Sequence, residues 1–316
     1  MSPKDKDFNV FGPIEKIVVF QQKLREDTLL REKNFSGLRV FKNELLAEGQ
    51  SSVFYSPYNF SYFLSLYEIA ARYIKKSFGG KKNIKVLEIG CGTGWGSYFL
   101  AGEFPDIYFL ATNINARSIQ YAAEVYRRKN LGYRVLNGLR QDLPGESFDM
   151  VFFMEVLEHF KEEDQKNLLR QSLSSLKKGG IILFSTPSRE FSFGLPTPGW
   201  GCHKKEFDSR EELLNWLDDF KREENFSGIE VNRLTAGGRY LWGQRIMTLV
   251  LNPFLHLSHR LKIKVTKSSI FGKIAGSRKL LSPKEEGLPD LDLRFLPGST
   301  AGISRRTIAL IGLITK

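Results

Sequence analysis

The sequence predicts an α/β fold, a parallel sheet with helices on both faces. Two observations predict it. From residue 84 onward, short apolar runs alternate with segments of helical periodicity. One of these runs, "KVLEI", leads through "GCGTG" directly into a helical stretch, the strand–turn–helix unit of such a sheet.

The elements follow in order. Residues 1–80 read as a mainly helical N-terminal extension. "GPIEKIVVFQQKLREDTLLREK" and "SPYNFSYFLSLYEIAARYIKKSFGG" both mix apolar and charged positions at helical spacing, and the second ends at Gly79–Gly80, a helix stop. Strands are expected over 84–90, 106–112, 133–137, 148–154 and 180–187, with helices near 95–103, 116–130, 161–177 and 209–221 between and after them. Two more strands, 228–235 and 305–314, bring the count to seven. The stretch 236–304 is too long for a simple loop and is expected to form helices of its own. The domain is thus predicted over 81–235 plus 305–316, with 236–304 as an insertion.

Composition narrows the class. Hydrophobic residues make up 41% of 316, enough for a sizeable core. The two cysteines, Cys91 and Cys202, form no CxxC and no metal-type spacing, so neither a disulfide framework nor a metal site is expected. No apolar leader and no run long enough to span a bilayer is visible, so a cytoplasmic protein is expected. The net charge is +12, and residues 230–316 carry fifteen Lys/Arg against five Asp/Glu. Such an excess suits an anionic partner or a solvated face.

The most informative stretch is "VLEIGCGTGWGSYFLA", Val86 to Ala101. Glycine permits left-handed backbone and lets a ligand touch the main chain. A dinucleotide fingerprint needs G-x-G-x-x-G, but read from Gly92 and Gly94, Ser97 stands where its third glycine belongs, so pyrophosphate binding is disfavoured.

"VLEIGCGTG" resembles the first motif of class I S-adenosylmethionine-dependent methyltransferases. "SFDMVFFMEVLEHF" (147–160) and "LKKGGIILFSTPS" (176–188) are similar to that family's fourth- and fifth-strand segments. "HKKEFDSREELLNWL" (203–217) resembles a segment found in members that modify sugars or cell-envelope polysaccharides. The resemblance implies a Rossmann-like, seven-stranded, mostly parallel sheet and S-adenosylmethionine as cofactor. It implies a cofactor site at Glu88, Gly90, Cys91, Gly92, Gly94, Asn113, Leu139, Asp142 and Glu155. Glu88 would help hold the donor's amino group, directly or through water. Two positions depart from the pattern: Asn113 replaces the acid that ends the second strand, and Leu139 replaces the acid near the adenine, with Asp142 three residues on. An amide can accept and donate one bond each to a ribose diol but lacks the strength of a carboxylate.

A methyl sulfonium is already electrophilic, so the protein must align nucleophile, carbon and sulfur, and help a hydroxyl lose its proton. His203, on the loop after the fifth strand, is the candidate general base, set against a role fixing local turns. Glu155 is the second candidate catalytic residue, facing cofactor or acceptor. His159 is read as structural, and Cys91 as a small residue in a crowded turn rather than a reactive thiol. Trp95 is read as packing, and 185–201 as a lid or acceptor wall.

In the insertion, 239–267 begins apolar, and 260–279 carries seven basic side chains and no acid. This fits either an interfacial element on an anionic membrane, reached over 239–279 at the inner face, or a cap helix on the core. The acceptor is read as a sugar or glycan precursor, with a lipid-linked form included. A small quinone-like acceptor, a nucleic acid and a non-catalytic binding module stay as alternatives. Aromatic residues do not interleave with the basic run, which weakens the nucleic-acid reading.

Overall fold

A computed structural model describes residues 8–9, 57–137, 143, 145–189, 203–236, 293–296 and 306–316. The strands are β1 (Phe8–Asn9), β2 (Lys85–Ile89), β3 (Tyr108–Asn113), β4 (Leu131–Val135), β5 (Phe148–Met154), β6 (Leu176–Pro187), β7 (Gly228–Ala236), β8 (Leu293–Leu296) and β9 (Arg306–Thr315). The helices are α1 (Pro57–Phe78), α2 (Trp95–Glu103), α3 (Ala116–Val125), α4 (Glu162–Ser175) and α5 (Arg210–Glu223).

They form one sheet in the order β1-β8-β7-β9-β6-β5-β2-β3-β4. The pairs from β4 through β3, β2 and β5 to β6 are parallel. β9 enters antiparallel between β6 and β7. These seven strands are the expected ones. β8 and β1 extend the β7 edge by two short antiparallel strands that the sequence did not announce. β8 lies in the segment expected to be helical, and β1 in the extension read as mainly helical. Residues 10–56 of the extension, including the stretch of helical spacing at 12–33, and the rest of the insertion, including the basic run 260–279, lie outside the described residues.

The central strands are buried on both faces, as a parallel sheet between two helix layers requires. Along β5 the side chains alternate. Met150, Phe152 and Met154 join the core beneath α1, α2 and α3, while Val151 and Phe153 join the core beneath α4 and α5. On the second face Phe153 stacks on Phe184, and Trp216 on Phe220. Leu64, Leu66, Ile69 and Ile74 of α1 are buried in the first core. A boundary at residue 80 therefore cuts off a helix that packs as part of the domain.

Local chemistry explains the helix ends. Asn115 caps α3, its side chain accepting from the Arg117 and Ser118 amides at 2.9 and 3.1 Å. Ser209 caps α5 by accepting from the Glu212 amide at 3.1 Å, and Glu212 reaches back to the Asp208 amide at 2.6 Å. α3 stops at Val125, short of the expected 130. Beyond it Arg128 swings onto α2, its guanidinium 4.0 Å over the Tyr98 ring and its Nε donating to the Tyr98 carbonyl at 2.9 Å. β6 starts at Leu176, earlier than expected. Leu176 pairs with Phe148 before a register shift at the Gly179–Gly180 bend.

Candidate active site

The C-terminal ends of β2, β3 and β5 carry the candidate residues to one edge of the sheet. After β2 the chain turns through Gly90, Gly92 and Gly94, all at positive φ (81°, 55° and 85°). The Gly90 and Cys91 amides both donate to the Thr112 carbonyl, at 2.8 and 2.9 Å, which ties the turn to β3. Gly94 caps α2 with no side-chain cap bond, so the helix opens on bare backbone.

Packing also compels these glycines. A Cβ at Gly94 would stand 2.7 Å from the Ala122 Cβ and 2.8 Å from the Tyr133 ring, and a Cβ at Gly90 would stand 2.5 Å from Val156. At Gly96 it would lie within the ring of Tyr67. Close approach of a ligand was the reading of these residues from the sequence. The structure adds that the protein itself occupies the space on the side-chain side.

Glu88 is buried beneath the turn. Its Oε1 accepts from the Tyr67 hydroxyl at 2.6 Å and its Oε2 from the Ser97 hydroxyl. Burial pushes its carboxyl up to about 7, against the lowering effect of the Ser97 and Tyr67 bonds. Glu88 thus braces β2, α1 and α2 together, and both its oxygens are engaged within the chain. The folded protein holds the proton more tightly than the unfolded chain does. The stability this contributes is full below the ordinary carboxylate range and is lost as pH rises toward about 7. Glu88→Gln is expected to flatten that decline, by on the order of a few kcal/mol, in denaturant titrations between about pH 4.5 and 7. An unchanged slope would contradict this account.

Asn113 ends β3. Its Nδ2 donates to the Gly92 carbonyl at 3.3 Å, and its Oδ1 accepts from the Asn115 amide at 3.0 Å. Among the described residues, one N–H and one lone pair of that amide remain, the complement of a vicinal diol. Cys91 is buried, and burial, with Glu88 alongside, pushes its thiol well up, as suits a small packing residue rather than a nucleophile. Trp95 packs on Tyr67 with ring centroids 5.1 Å apart. Leu139 and Asp142 lie outside the described residues, as does 190–201 of the expected lid.

Glu155 follows β5 at φ 56°, a left-handed conformation uncommon for a residue with a side chain. Its amide donates to the Ser185 Oγ at 3.0 Å, and that hydroxyl donates to Glu155 Oε1 at 2.7 Å. Oε2 is buried and accepts no hydrogen bond among the described residues. Burial raises the carboxyl to about 7, against the Ser185 and Tyr62 bonds and the nearby His203. His203 is therefore at the expected edge, with Nδ1 paired to Glu206 Oε1. Glu158 and His159 stand beside it, the two imidazole rings 5.1 Å apart at 80°. From the sequence, Glu158 is the more ambiguous acid beside Glu155, and His159 reads as structural. Both belong to this cluster.

A glycine turn at left-handed backbone, an amide poised for a diol and a buried carboxyl at the end of β5 fit an S-adenosylmethionine site. The family described as "Methyltransferase domain" matches residues 62–231, more than half of the chain. The chain belongs to this methyltransferase domain family. S-adenosylmethionine is the cofactor of the relatives whose names specify one, among them a probable S-adenosylmethionine-dependent methyltransferase of Mycolicibacterium smegmatis, 32% identical over 132 residues, 41% of this chain and 49% of that protein. Similarity extends to phosphoethanolamine N-methyltransferase 1 of Arabidopsis thaliana, 29% identical over 141 residues, 40% of this chain and 28% of that protein. It also extends to a ubiquinone biosynthesis O-methyltransferase of Pectobacterium carotovorum, 29% identical over 179 residues, 52% of this chain and 73% of that protein. The chain thus spans about a quarter of the length of the plant relatives it matches. Among solved structures, a Haemonchus contortus phosphoethanolamine N-methyltransferase 2 with S-adenosylhomocysteine is similar at a TM-score of 0.47 and 18% identity, over 78% of this chain and 53% of that one.

Proposed function

We propose that this methyltransferase-family protein transfers a methyl group to an oxygen of a sugar or cell-envelope glycan precursor. One observation carries the reaction class. The glycine turn, Asn113 and the Glu155–His203 cluster meet at one edge of the sheet. When bound, S-adenosylmethionine supplies a methyl carbon that an oxygen lone pair attacks, while the carbon–sulfur bond breaks toward sulfur and leaves S-adenosylhomocysteine. The chain's own task is to seat that donor on bare backbone, align the acceptor and take up the hydroxyl proton. Asn113 would hold the ribose through its remaining donor and acceptor. Glu155 would line the acceptor side. His203, oriented by Glu206, is the imidazole offered to the acceptor.

The sugar acceptor rests on the 203–217 resemblance and on the C-terminal basic excess. Contact with an anionic membrane through 239–279 belongs to the same proposal and lies outside the described residues. Among the described residues no helix is long and apolar enough to cross a membrane. A second reading, a small quinone-like acceptor, is favoured by the broader match to the ubiquinone O-methyltransferase. Methyl-labelled S-adenosylmethionine, offered with glycan precursors, phenolic compounds and phosphoethanolamine in parallel, separates the readings. Label in the glycan fraction supports the proposal. Label confined to phenols or to the phosphobase overturns the sugar assignment.

A further inference from the structure

We propose that Glu158, His159 and His203 bind a divalent transition-metal ion at the acceptor edge of the sheet. Each offers one ligand atom, and these atoms all lie within 4.8 Å of one another. Two imidazole nitrogens and one carboxylate oxygen suit Zn²⁺, Mn²⁺, Fe²⁺ or Co²⁺, whereas Mg²⁺ and Ca²⁺ favour all-oxygen sites. Ligand atoms about 2.1 Å from a shared ion stand roughly 3–4 Å apart, so a small inward shift of the side chains closes the group on an ion. No spacing in the sequence suggested this site, because His203 reaches it only across α4 and β6.

A second observation points to a ligand. The Glu158 side chain is fully buried, and neither of its oxygens accepts a hydrogen bond among the described residues. A buried, unsatisfied carboxyl is costly and calls for a compensating group. His159 Nε2 stands 3.9 Å from Glu158 Oε1, beyond hydrogen-bond distance. Glu155 Oε2, also buried without a hydrogen bond among the described residues, flanks the group.

The fold holds these residues in place. The Lys204 and Lys205 amides donate to the Glu158 carbonyl at 2.7 and 3.3 Å, which fastens the His203 loop to the short helix bearing Glu158 and His159. Gln165 Nε2 bonds to the Leu157 and Lys205 carbonyls at 2.9 and 3.2 Å, bridging the same two segments. Glu206 pairs with His203 Nδ1 and leaves Nε2 as the ligating atom, the arrangement by which a carboxylate fixes a metal-bound imidazole. Three protein ligands leave coordination positions for an oxygen of the acceptor. A cation there lowers the pKa of a bound hydroxyl. With a metal ion bound, His203 acts as its ligand, replacing the proton-accepting role read from the sequence and carried into the proposed function, and the hydroxyl proton, acidified by the ion, leaves to water as the oxygen attacks the methyl carbon.

Metal binding itself tests the site without any methyl transfer, so its failure is distinct from failure of the proposed function. Chelator-treated protein is titrated with Co²⁺, followed by its visible absorption, and with Mn²⁺, followed by electron paramagnetic resonance. One equivalent is expected to bind. His159→Ala, at a half-exposed position, and Glu158→Gln are expected to weaken binding at least tenfold while circular dichroism is unchanged. Glu206→Gln is expected to weaken it about 10–100-fold. The double variant His256→Ala/His259→Ala should bind as the parent does. Absence of binding to the parent, unchanged binding in folded His159→Ala and Glu158→Gln, or loss only in the His256/His259 variant would each overturn the proposal.

Discussion

Alanine at position 94 is expected to weaken S-adenosylmethionine binding by a hundredfold or more. Two penalties combine there. Gly94 holds φ at 85°, where a side chain costs about 1–2 kcal/mol. The added Cβ also meets Ala122 at 2.7 Å and Tyr133 at 2.8 Å, an overpacking that costs about 1–3 kcal/mol. The turn can relieve both only by moving, and moving it takes the bare backbone away from the donor. Gly80→Ala is the matched control. Gly80 has a similar φ of 79°, but among the described residues no atom lies within 4 Å of its added Cβ, and it follows the end of α1 away from the site. It should lower stability modestly and leave donor affinity unchanged. Isothermal titration of both variants, with circular dichroism to confirm folding, makes the comparison. Equal affinity for the parent and Gly94→Ala would contradict the role given to the turn.

His203→Ala is expected to lower methyl transfer by about 10²–10⁴-fold, the range for a group that helps remove an acceptor proton. Donor affinity should stay unchanged, because His203 stands beside Glu155 and Glu206 and not at the glycine turn. Glu206→Gln should have a smaller effect, about tenfold, since it acts by orienting the ring. Chelation of the parent should mimic His203→Ala, and added Mn²⁺ or Zn²⁺ should restore the parent but not the variant. A parent indifferent to chelators would return His203 to the part of a free base. A fully active His203→Ala would remove it from the chemistry altogether.

The parallel half of the sheet was legible in the sequence because β2, β3, β5 and β6 are apolar runs set between helical segments, and burial on both faces leaves little freedom in composition. Their ends were less legible. α3 stops early because Arg128 finds the Tyr98 ring, a contact that local pattern does not encode. β1 and β8 span two and four residues, too short for a periodic signal, and take their strand form from the β7 edge they extend. In the site, the glycine turn and the acid before it stood out as a motif. The reason for Gly96 did not, because Tyr67, the ring it accommodates, comes from a helix assigned to a separate extension. The Glu158–His159–His203 group was hidden for a similar cause. Backbone bonds from Lys204 and Lys205 to Glu158 draw the loop in, and no spacing rule anticipates them.

The central claim is that the turn after β2 seats S-adenosylmethionine. Titration of the folded, full-length chain with S-adenosylmethionine, and separately with S-adenosylhomocysteine, tests it most directly. The account predicts saturable binding of one molecule per chain for both, competitive with each other and weakened in Gly94→Ala. No heat from either compound with protein that is folded by circular dichroism would contradict it.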